Sequence, residues 1–267
     1  MRYKIVPIKN ISRMRSAGDA LLNRPPGMPG MGLIYSPTGY GKTTAATWFV
    51  NQVNGVYVRA MRLWSPKSML NAILRELDME LRGTNGDLVE AIVEKLAATG
   101  RPLFIDEADY VIDSRRLVDT LRDIHDLSTI PVILIGMQGI KTKLNRAGLE
   151  QFTGRISQWV EFSGADIDDA RMLANSLCEV HIADDLLIKL HRKACPETSR
   201  AHAIGGAEIR RLVVGLSEIE QFALRRGLTT INADQWDPKA DFFIGQAPSP
   251  QPGVKPGVNP SLKAVRS

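Results

Sequence analysis

The stretch SPTGYGKTT, residues 36–44, decides the fold. It matches the phosphate-binding pattern G-x-x-x-x-G-K-[ST] except at its first position, where Ser36 replaces glycine. The apolar run GLIY, residues 32–35, precedes it, and TTAATWFV, residues 43–50, follows with the composition of a helix. A phosphate-binding loop requires this context of strand, glycine-rich turn and helix. The sequence therefore predicts a nucleotide site where a buried strand ends.

The residues of this loop have distinct predicted roles. Backbone N–H groups of residues 39–44 would point at the phosphates, assisted by the positive end of the helix. Lys42 is expected to neutralise the β- and γ-phosphates, and the Thr43 hydroxyl is expected to bind Mg²⁺. A small residue at position 36 is a mild departure, since it precedes the cradle. The predicted nucleotide-binding residues of the loop are Ser36, Pro37, Thr38, Gly39, Tyr40, Gly41, Lys42, Thr43 and Thr44.

A second motif, LFIDE at residues 103–107, is a hydrophobic strand that ends in two acids. Asp106 is expected to hold Mg²⁺ through water, and Glu107 to polarise the attacking water as a general base. A chance glycine-rich turn with a surface acidic pair is the alternative, but two motifs in the right order, each ending a strand, favour an ATPase that uses ATP and Mg²⁺. The letters DEAD at residues 106–109 do not indicate a helicase, because such enzymes need two stacked ATPase domains and the chain has room for one.

Composition indicates a globular protein with a sizeable core, since 44% of the 267 residues are hydrophobic. The amino-terminal residues lack the apolar run of a signal peptide, and no apolar run is long enough for a transmembrane helix. Two cysteines, Cys178 and Cys195, are too few for a disulfide scaffold, so a cytoplasmic location without membrane contact is expected. The net charge of +5 permits nucleic-acid binding without requiring it.

Apolar runs alternate with helical patterns before Gly164 and then give way to helical patterns alone. This order predicts an α/β core with a parallel sheet, followed by a small helical lid. The predicted strands are 32–37, 56–60, 102–106, 131–136 and 158–162, and the predicted lid helices are 166–180, 184–194 and 207–226. Ser65 with Pro66 predicts one helix start, and Asp87 is predicted to cap the next helix. The expected divisions are a core at 1–163, a lid at 164–244 and a disordered Pro/Gly-rich tail at 245–267.

The chain resembles AAA+ ATPases in these two motifs, in PVILIGM at 131–137 and in the late helix at 205–227. Within that family it resembles the DNA transposition regulators typified by the phage Mu B protein and TnsC. The subfamily resemblance depends on YKIVPIKNISRM at 3–14, on VYVRAMRLWSPKSML at 56–70 and on the short lid. It implies an AAA+ P-loop core with a five-stranded parallel sheet and a small C-terminal α-helical lid.

The resemblance also implies an arginine finger that a neighbouring subunit supplies in trans. Arg155 is best placed for this role and Arg146 is the fallback, while an ordinary surface arginine is the alternative. A second sensor arginine should open a lid helix, where Arg210 and Arg211 both fit and a lid salt bridge is the alternative.

Two further positions follow from the resemblance. The first sensor is usually a small polar residue after the fourth strand, but Met137 stands there and Gln138 is the substitute. A poor sensor implies slow, assembly-stimulated hydrolysis, which suits a switch better than a motor. Val6 is expected either beside the adenine or in ordinary core packing.

The implied function is ATP-dependent assembly on duplex target DNA. The protein would form a head-to-tail homo-oligomer, as a ring or a helical filament, and recruit or activate a transposase until hydrolysis releases it. Contacts with DNA should be basic and directed at phosphates. The candidates are Arg59, Arg62, Lys67, Arg82 and Thr84, each with a solvated surface residue as the alternative.

Two other functional classes share this core. Helicase loaders bind a replicative helicase and single-stranded DNA, and a nucleotide-gated interaction module would have no DNA role. Single-strand binders often display aromatic stacking platforms, whereas aromatic residues are only 6% of this chain and Trp64 alone lies near the proposed DNA loop. This favours duplex binding.

The spacing of Cys178, His181, His191 and Cys195 is compatible with a four-ligand zinc site. The four residues lie within or beside predicted amphipathic helices, and Cys178 follows the apolar Leu177, as a small buried hydrophobic residue would. Packing is therefore preferred to metal binding here.

Overall fold

The computed structural model describes residues 1–2, 4–145, 148–196 and 206–236. Arg146 and the predicted tail at 245–267 lie outside these residues. The described strands are β1 (Met31–Ser36), β2 (Val56–Arg59), β3 (Leu103–Asp106), β4 (Val132–Met137), β5 (Ile156–Glu161), β6 (His181–Ile182) and β7 (Thr230–Ile231). The described helices are α1 (Lys9–Leu22), α2 (Lys42–Val53), α3 (Pro66–Glu76), α4 (Asn85–Thr99), α5 (Asp109–Ile112), α6 (Arg115–Ser128), α7 (Ile140–Leu144), α8 (Glu150–Thr153), α9 (Ile167–Leu177), α10 (Asp184–Ala194) and α11 (Ile209–Arg225).

The predicted five-stranded parallel sheet is confirmed. Its strand order is β2-β3-β4-β1-β5, and every neighbouring pair is parallel. Because β1 is central, all six of its residues are buried, as expected for a strand that helices cover on both faces. All carboxyl ends lie at one edge of the sheet, so the loop after β1 and the acids that end β3 are brought to the same edge.

Alternation along the strands divides the core between the two faces of the sheet. Ile34 faces α1, α2 and the C-terminal helices, in a cluster that also contains Phe49 and Phe104. Leu33 and Ile105 face the opposite layer of α3, α4 and α6. Helices on both faces of a parallel sheet bury nearly continuous apolar strands, which explains the Val/Ile/Leu-rich runs of the sequence.

Short polar side chains cap the starts of α3 and α4. Ser65 caps α3, its side chain accepts from the Ser68 N–H, and Pro66 occupies the first turn, as predicted. The prediction that Asp87 caps the next helix is wrong. Thr84 is the N-cap of α4. Asp87 is the third residue of this helix, and its carboxylate accepts a hydrogen bond from the Thr84 N–H.

The C-terminal part is mainly helical, but the prediction that strands stop at Gly164 is wrong. β6 and β7 form a small parallel pair, and Ala165 and Ala207 form an antiparallel bridge. β6 and β7 have two residues each, which is too short to leave an alternating hydrophobic pattern in the sequence. Within the described residues, none of the helices has the length and hydrophobicity needed to span a bilayer. The domain divisions at 163 and 244 stay predictions.

Candidate nucleotide-binding site

The loop after β1 has the backbone that a phosphate cradle needs. Gly39 and Gly41 both have positive φ, 84° and 82°, which residues with a side chain rarely adopt. A Cβ on Gly39 would also lie 2.1 Å from the Glu208 carboxylate, so a larger residue would have to displace that side chain in addition to adopting a strained backbone. α2 begins immediately after the loop, and its first amides have no acceptor within the helix. The arrangement is a helix N-terminus open to an anion.

Lys42 lies across the loop. Its ammonium donates to the carbonyl oxygens of Ser36 and Pro37, both at 2.9 Å, and lies 3.2 Å from the Ser36 hydroxyl. Ser36 is fully buried at the end of β1, and its side chain thus contributes to the anchoring of the lysine. Burial lowers the pKa of Lys42, although Asp106 and Glu107 oppose this shift. A partly desolvated ammonium of this kind gains strongly from a phosphate partner.

Asp106 ends β3 and is only 3% exposed. Its Oδ2 accepts hydrogen bonds from the Thr43 hydroxyl at 2.8 Å and from the Tyr57 hydroxyl at 2.7 Å. Its Oδ1 accepts from the Glu107 N–H at 2.8 Å. A hydroxyl and a carboxylate at this distance are the oxygen ligands that Mg²⁺ prefers, so the residues fit the metal. Tyr57 was not predicted as a site residue.

Glu107 has a strained backbone and a basic partner. Its φ is 54°, which is unusual for a residue with a long side chain. Residues with such strained backbones are concentrated at functional sites. Its carboxylate accepts from the Arg59 guanidinium at 3.2 Å. Arg59 was predicted as a DNA contact, but the register pairs it with Asp106 across β2 and β3 and so brings it to the acidic strand end.

Two adjoining cavities lie above this sheet edge. The polar cavity, about 350 Å³, is lined by Lys42, Thr43, Asp106, Glu107 and Arg210 among others. The apolar cavity, about 360 Å³, is lined by Val6, Tyr40, Leu173 and Ile209 among others. Gly41, Thr44, Ile209 and Val213 border both. The pair offers a charged compartment that suits phosphates next to an apolar compartment that suits a flat base. Val6 lines the apolar compartment and is also buried in the hydrophobic core, so its place beside the adenine stays a prediction.

The structure distinguishes between the two lid arginines. Arg210 lines the polar cavity, and its backbone N–H donates to the Gly39 carbonyl at 3.0 Å. Arg211 is paired with Glu208 at 2.9 Å. Arg210 therefore is the candidate for contact with a phosphate, and Arg211 stabilises the start of α11.

The substitute sensor Gln138 is not brought into the polar cavity. Its amide lies 3.4 Å from the Glu161 carboxylate, whereas Met137 lines the cavity with its sulfur 3.9 Å from the Lys42 ammonium. The Met137 N–H is held by Asp109 at 2.7 Å, which directs the strand end toward the loop. The prediction for Gln138 is corrected on this geometry, and the cavity has a weak thioether acceptor at this point.

Arg155 lies at the amino end of β5, away from the nucleotide edge of its own chain. Its Nε donates to Asp126 at 2.6 Å, and the guanidinium also contacts the Gln151 carbonyl. The hydrogen bond from the Arg155 guanidinium lowers the pKa of Asp126. The side chain is about one third exposed, so it lies at the surface but is already paired within the chain.

The DNA candidates other than Arg59 lie around two loops. Arg62 is exposed in the loop after β2, next to Leu63, which is 93% exposed. The Lys67 ammonium contacts the Gly83 carbonyl at 3.4 Å, so the segment with Arg82 lies beside the start of α3. The Thr84 hydroxyl is bonded to Asp87 and serves the helix cap, which makes it a poor phosphate donor.

The four zinc candidates do not converge. The Cys178 thiol is buried beside the Leu216 carbonyl, and burial raises its pKa to about 12. His191 bonds the Ala165 carbonyl at 2.9 Å, and His181 is exposed. Within the described part of the chain, no three His, Cys, Asp or Glu side chains are grouped as metal ligands.

Comparison with known proteins supports the fold described above. Residues 27–144 match the family model described as an AAA domain. The fold is similar to the ORC2 protein of Aeropyrum pernix solved with ADPNP and ADP, with a TM-score of 0.64 and 17% identity over 88% of this chain and 68% of that one. It is similar to Cdc6p of Pyrobaculum aerophilum, with a TM-score of 0.63 and 16% identity over 86% of this chain and 65% of that one.

A third similar structure is the ORC1 protein of Aeropyrum pernix in complex with DNA, with a TM-score of 0.55 and 16% identity over 85% of this chain and 63% of that one. The chain spans about two thirds of the length of these structures. A search of curated proteins gives no significant match. The match to the AAA domain model and the similarity to these structures confirm the predicted AAA+ P-loop fold.

Proposed function

We propose that this protein is an ATP-hydrolysing AAA+ switch that binds duplex DNA and regulates transposition. The observation that carries the ATPase assignment is the convergence of Lys42, Thr43, Asp106 and Glu107 on one cavity, next to an apolar compartment. ADP and ADPNP are bound in the similar ORC2 structure, which supports a nucleotide ligand here. The transposition role depends on the resemblance to the Mu B and TnsC type.

The residues divide the chemistry among them. Lys42 and Arg210 bind the phosphates, and the loop amides orient them for in-line attack. Thr43 and Asp106 would hold Mg²⁺, which when bound neutralises charge on the β- and γ-phosphates. The Glu107 carboxylate takes the proton of the attacking water. Arg155 of a neighbouring subunit would stabilise the transferring phosphoryl group after its pair with Asp126 breaks, at a cost of about 0.2–1 kcal/mol for such an exposed pair.

The proposed DNA surface consists of the loop after β2 and the segment before α4, with Arg62, Lys67 and Arg82. These side chains are exposed, and the contact between Lys67 and Gly83 places the two segments side by side. The DNA complex of the similar ORC1 protein supports a DNA partner. In the proposed cycle, subunits add head to tail on duplex DNA with ATP bound, a transposase is recruited, and hydrolysis releases the assembly.

Duplex binding is expected to be cooperative, to require a non-hydrolysable ATP analogue and to weaken with salt. Fluorescence anisotropy of labelled duplex and single-stranded DNA, with the analogue, ADP or no nucleotide, measures this at several salt concentrations. Lys67→Ala should reduce the slope of log K against log[salt] by about 0.9 for each subunit's lost phosphate contact. Lys95→Ala, on the exposed face of α4, is the control and should leave the slope unchanged.

The outcome for each DNA form separates the functional classes. Preference for single strands would instead support a helicase loader that binds a replicative helicase. Absence of binding to either form would contradict a DNA role and leave a nucleotide-gated module for protein partners.

Removing the Arg59 side chain is expected to raise ATP hydrolysis in the absence of DNA. The exposed pair between Arg59 and Glu107 holds the general base and is worth about 0.2–1 kcal/mol. Releasing the carboxylate should therefore increase the basal rate by up to about fivefold, because 1.4 kcal/mol corresponds to tenfold. Steady-state phosphate release with Arg59→Ala measures the effect. Arg62→Ala, in the loop that follows β2, is the control, and an equal increase there would contradict a specific hold on Glu107.

A further inference from the structure

Tyr57 is placed by the sheet register against the acidic end of β3. β2 is an edge strand in which Tyr57 pairs with Phe104 and Arg59 pairs with Asp106. Since side chains alternate along a strand, Tyr57 and Arg59 lie on the same face of β2. The tyrosine reaches Asp106 at 2.7 Å, and the arginine reaches Glu107 at 3.2 Å. One strand face therefore contacts both acids of the site.

The hydrogen bonds to Asp106 leave little freedom in its carboxylate. A carboxylate offers about four acceptor positions. Thr43 and Tyr57 occupy both positions on Oδ2, and the Glu107 N–H occupies one on Oδ1. The position that remains is on Oδ1, where a water bound to a cation would donate. These three hydrogen bonds restrain rotation about the Cβ–Cγ bond, so the remaining position has a preferred orientation.

Of the two hydroxyl groups that donate to Asp106, that of Tyr57 is not an expected ligand of the metal. Thr43 is an expected ligand of Mg²⁺, so its oxygen would serve both the metal and the carboxylate. Tyr57 is half-buried and reaches Asp106 with a rigid ring that has few rotamers. Groups of this kind, which hydrogen-bond to a metal ligand, commonly change metal affinity when they are removed.

We propose that Tyr57 is a positioning residue that orients the Asp106 carboxylate for the divalent cation. The proposal rests on the proposed function, since it concerns the cation that accompanies the nucleotide. Tyr57 itself touches neither nucleotide nor cation, and it acts through Asp106. Its effect is on cation affinity and not on binding of metal-free nucleotide.

The test is a Mn²⁺ titration of the full chain saturated with ADP, followed by electron paramagnetic resonance of free Mn²⁺. Tyr57→Phe removes the hydroxyl and keeps the ring, and it is expected to raise the Mn²⁺ dissociation constant about 10- to 100-fold. ADP affinity in the presence of a chelator should be the same as in the wild type. Tyr110→Phe, an exposed tyrosine on α5, is the matched control and should alter neither quantity.

A double-mutant cycle shows whether Tyr57 acts through Asp106. In an Asp106→Asn background, Tyr57→Phe should have no further effect on Mn²⁺ affinity. Additive effects, or unchanged or tighter Mn²⁺ binding by Tyr57→Phe, would overturn the inference. So would a loss of metal-free ADP affinity equal to the loss of Mn²⁺ affinity. A wild-type chain that binds neither ADP nor Mn²⁺ would instead overturn the proposed function on which the inference rests.

Discussion

Glu107→Gln is expected to bind ATP normally and to hydrolyse it about 10²- to 10⁴-fold more slowly than the wild type, which is the usual contribution of a general base. The amide has the size of the carboxylate but cannot take a proton from water. It can still accept a hydrogen bond from Arg59, which lies 3.2 Å from the native oxygen. The residue also keeps its positive φ of 54°, so the substitution adds no new backbone strain. Single-turnover phosphate release measures the rate.

The same variant should remain on duplex DNA after ATP is added. In the proposed cycle hydrolysis releases the assembly, so a chain that binds ATP without hydrolysing it stays in the DNA-bound state. Anisotropy of labelled duplex, followed over time after an ATP chase, measures this persistence. Glu94→Gln on the exposed face of α4 is the control and should dissociate as the wild type does. Normal turnover by Glu107→Gln would remove Glu107 from the mechanism.

Local sequence patterns were sufficient to predict which residues meet at the carboxyl edge of the sheet. The buried run before Ser36 and the run that ends in Asp106 are each hydrophobic throughout, which is typical of central parallel strands. The glycine-rich turn after the first strand and the two acids at the end of the other predict a phosphate loop and a metal-binding carboxylate at the same edge of the sheet. Parallel strands place both strand ends at this edge, and the strand order, with only β4 between β1 and β3, brings the Thr43 hydroxyl within 2.8 Å of Asp106.

Contacts that depend on strand order and register could not be predicted. Tyr57 and Arg59 reach the acids only because β2 lies next to β3, a neighbour that the sequence of the two segments does not specify. Arg59 was therefore assigned to DNA by its charge. The alternation of Tyr57 and Arg59 in a short apolar strand was the signal that could have placed both on one face.

Competition between local interactions explains the other corrections. Thr84 and Asp87 form a capping box, so Thr84 is the N-cap in place of Asp87 and its hydroxyl is already hydrogen-bonded within the chain. Gln138 lies just beyond the end of β4, where its amide contacts the Glu161 carboxylate, and Met137 lines the cavity instead.

The pairing of β6 with β7 has a different cause. It joins segments far apart in the chain, which no local pattern indicates.

Lys42→Ala is expected to remove most of the affinity for ATP. The ammonium is partly buried, is bonded to the Ser36 and Pro37 carbonyls at 2.9 Å, and faces the cavity that would hold the phosphates. Loss of one partner of a buried, hydrogen-bonded charge pair costs about 2–5 kcal/mol. This corresponds to a Kd roughly 30- to 4,000-fold higher. Isothermal titration calorimetry with a non-hydrolysable analogue and Mg²⁺ measures the change.

The lysine also stabilises the loop through its bonds to Ser36 and Pro37, so weaker nucleotide binding must be separated from a damaged fold. Thermal unfolding without nucleotide should show a small change in Tm for Lys42→Ala, whereas the rise in Tm that ligand gives the wild type should disappear, because stabilisation by a ligand follows its affinity. Lys95→Ala, an exposed lysine of α4, should keep that rise in full. Undiminished stabilisation of Lys42→Ala by the analogue would show that the phosphates bind elsewhere, and the loop SPTGYGKTT would then be only a structural turn.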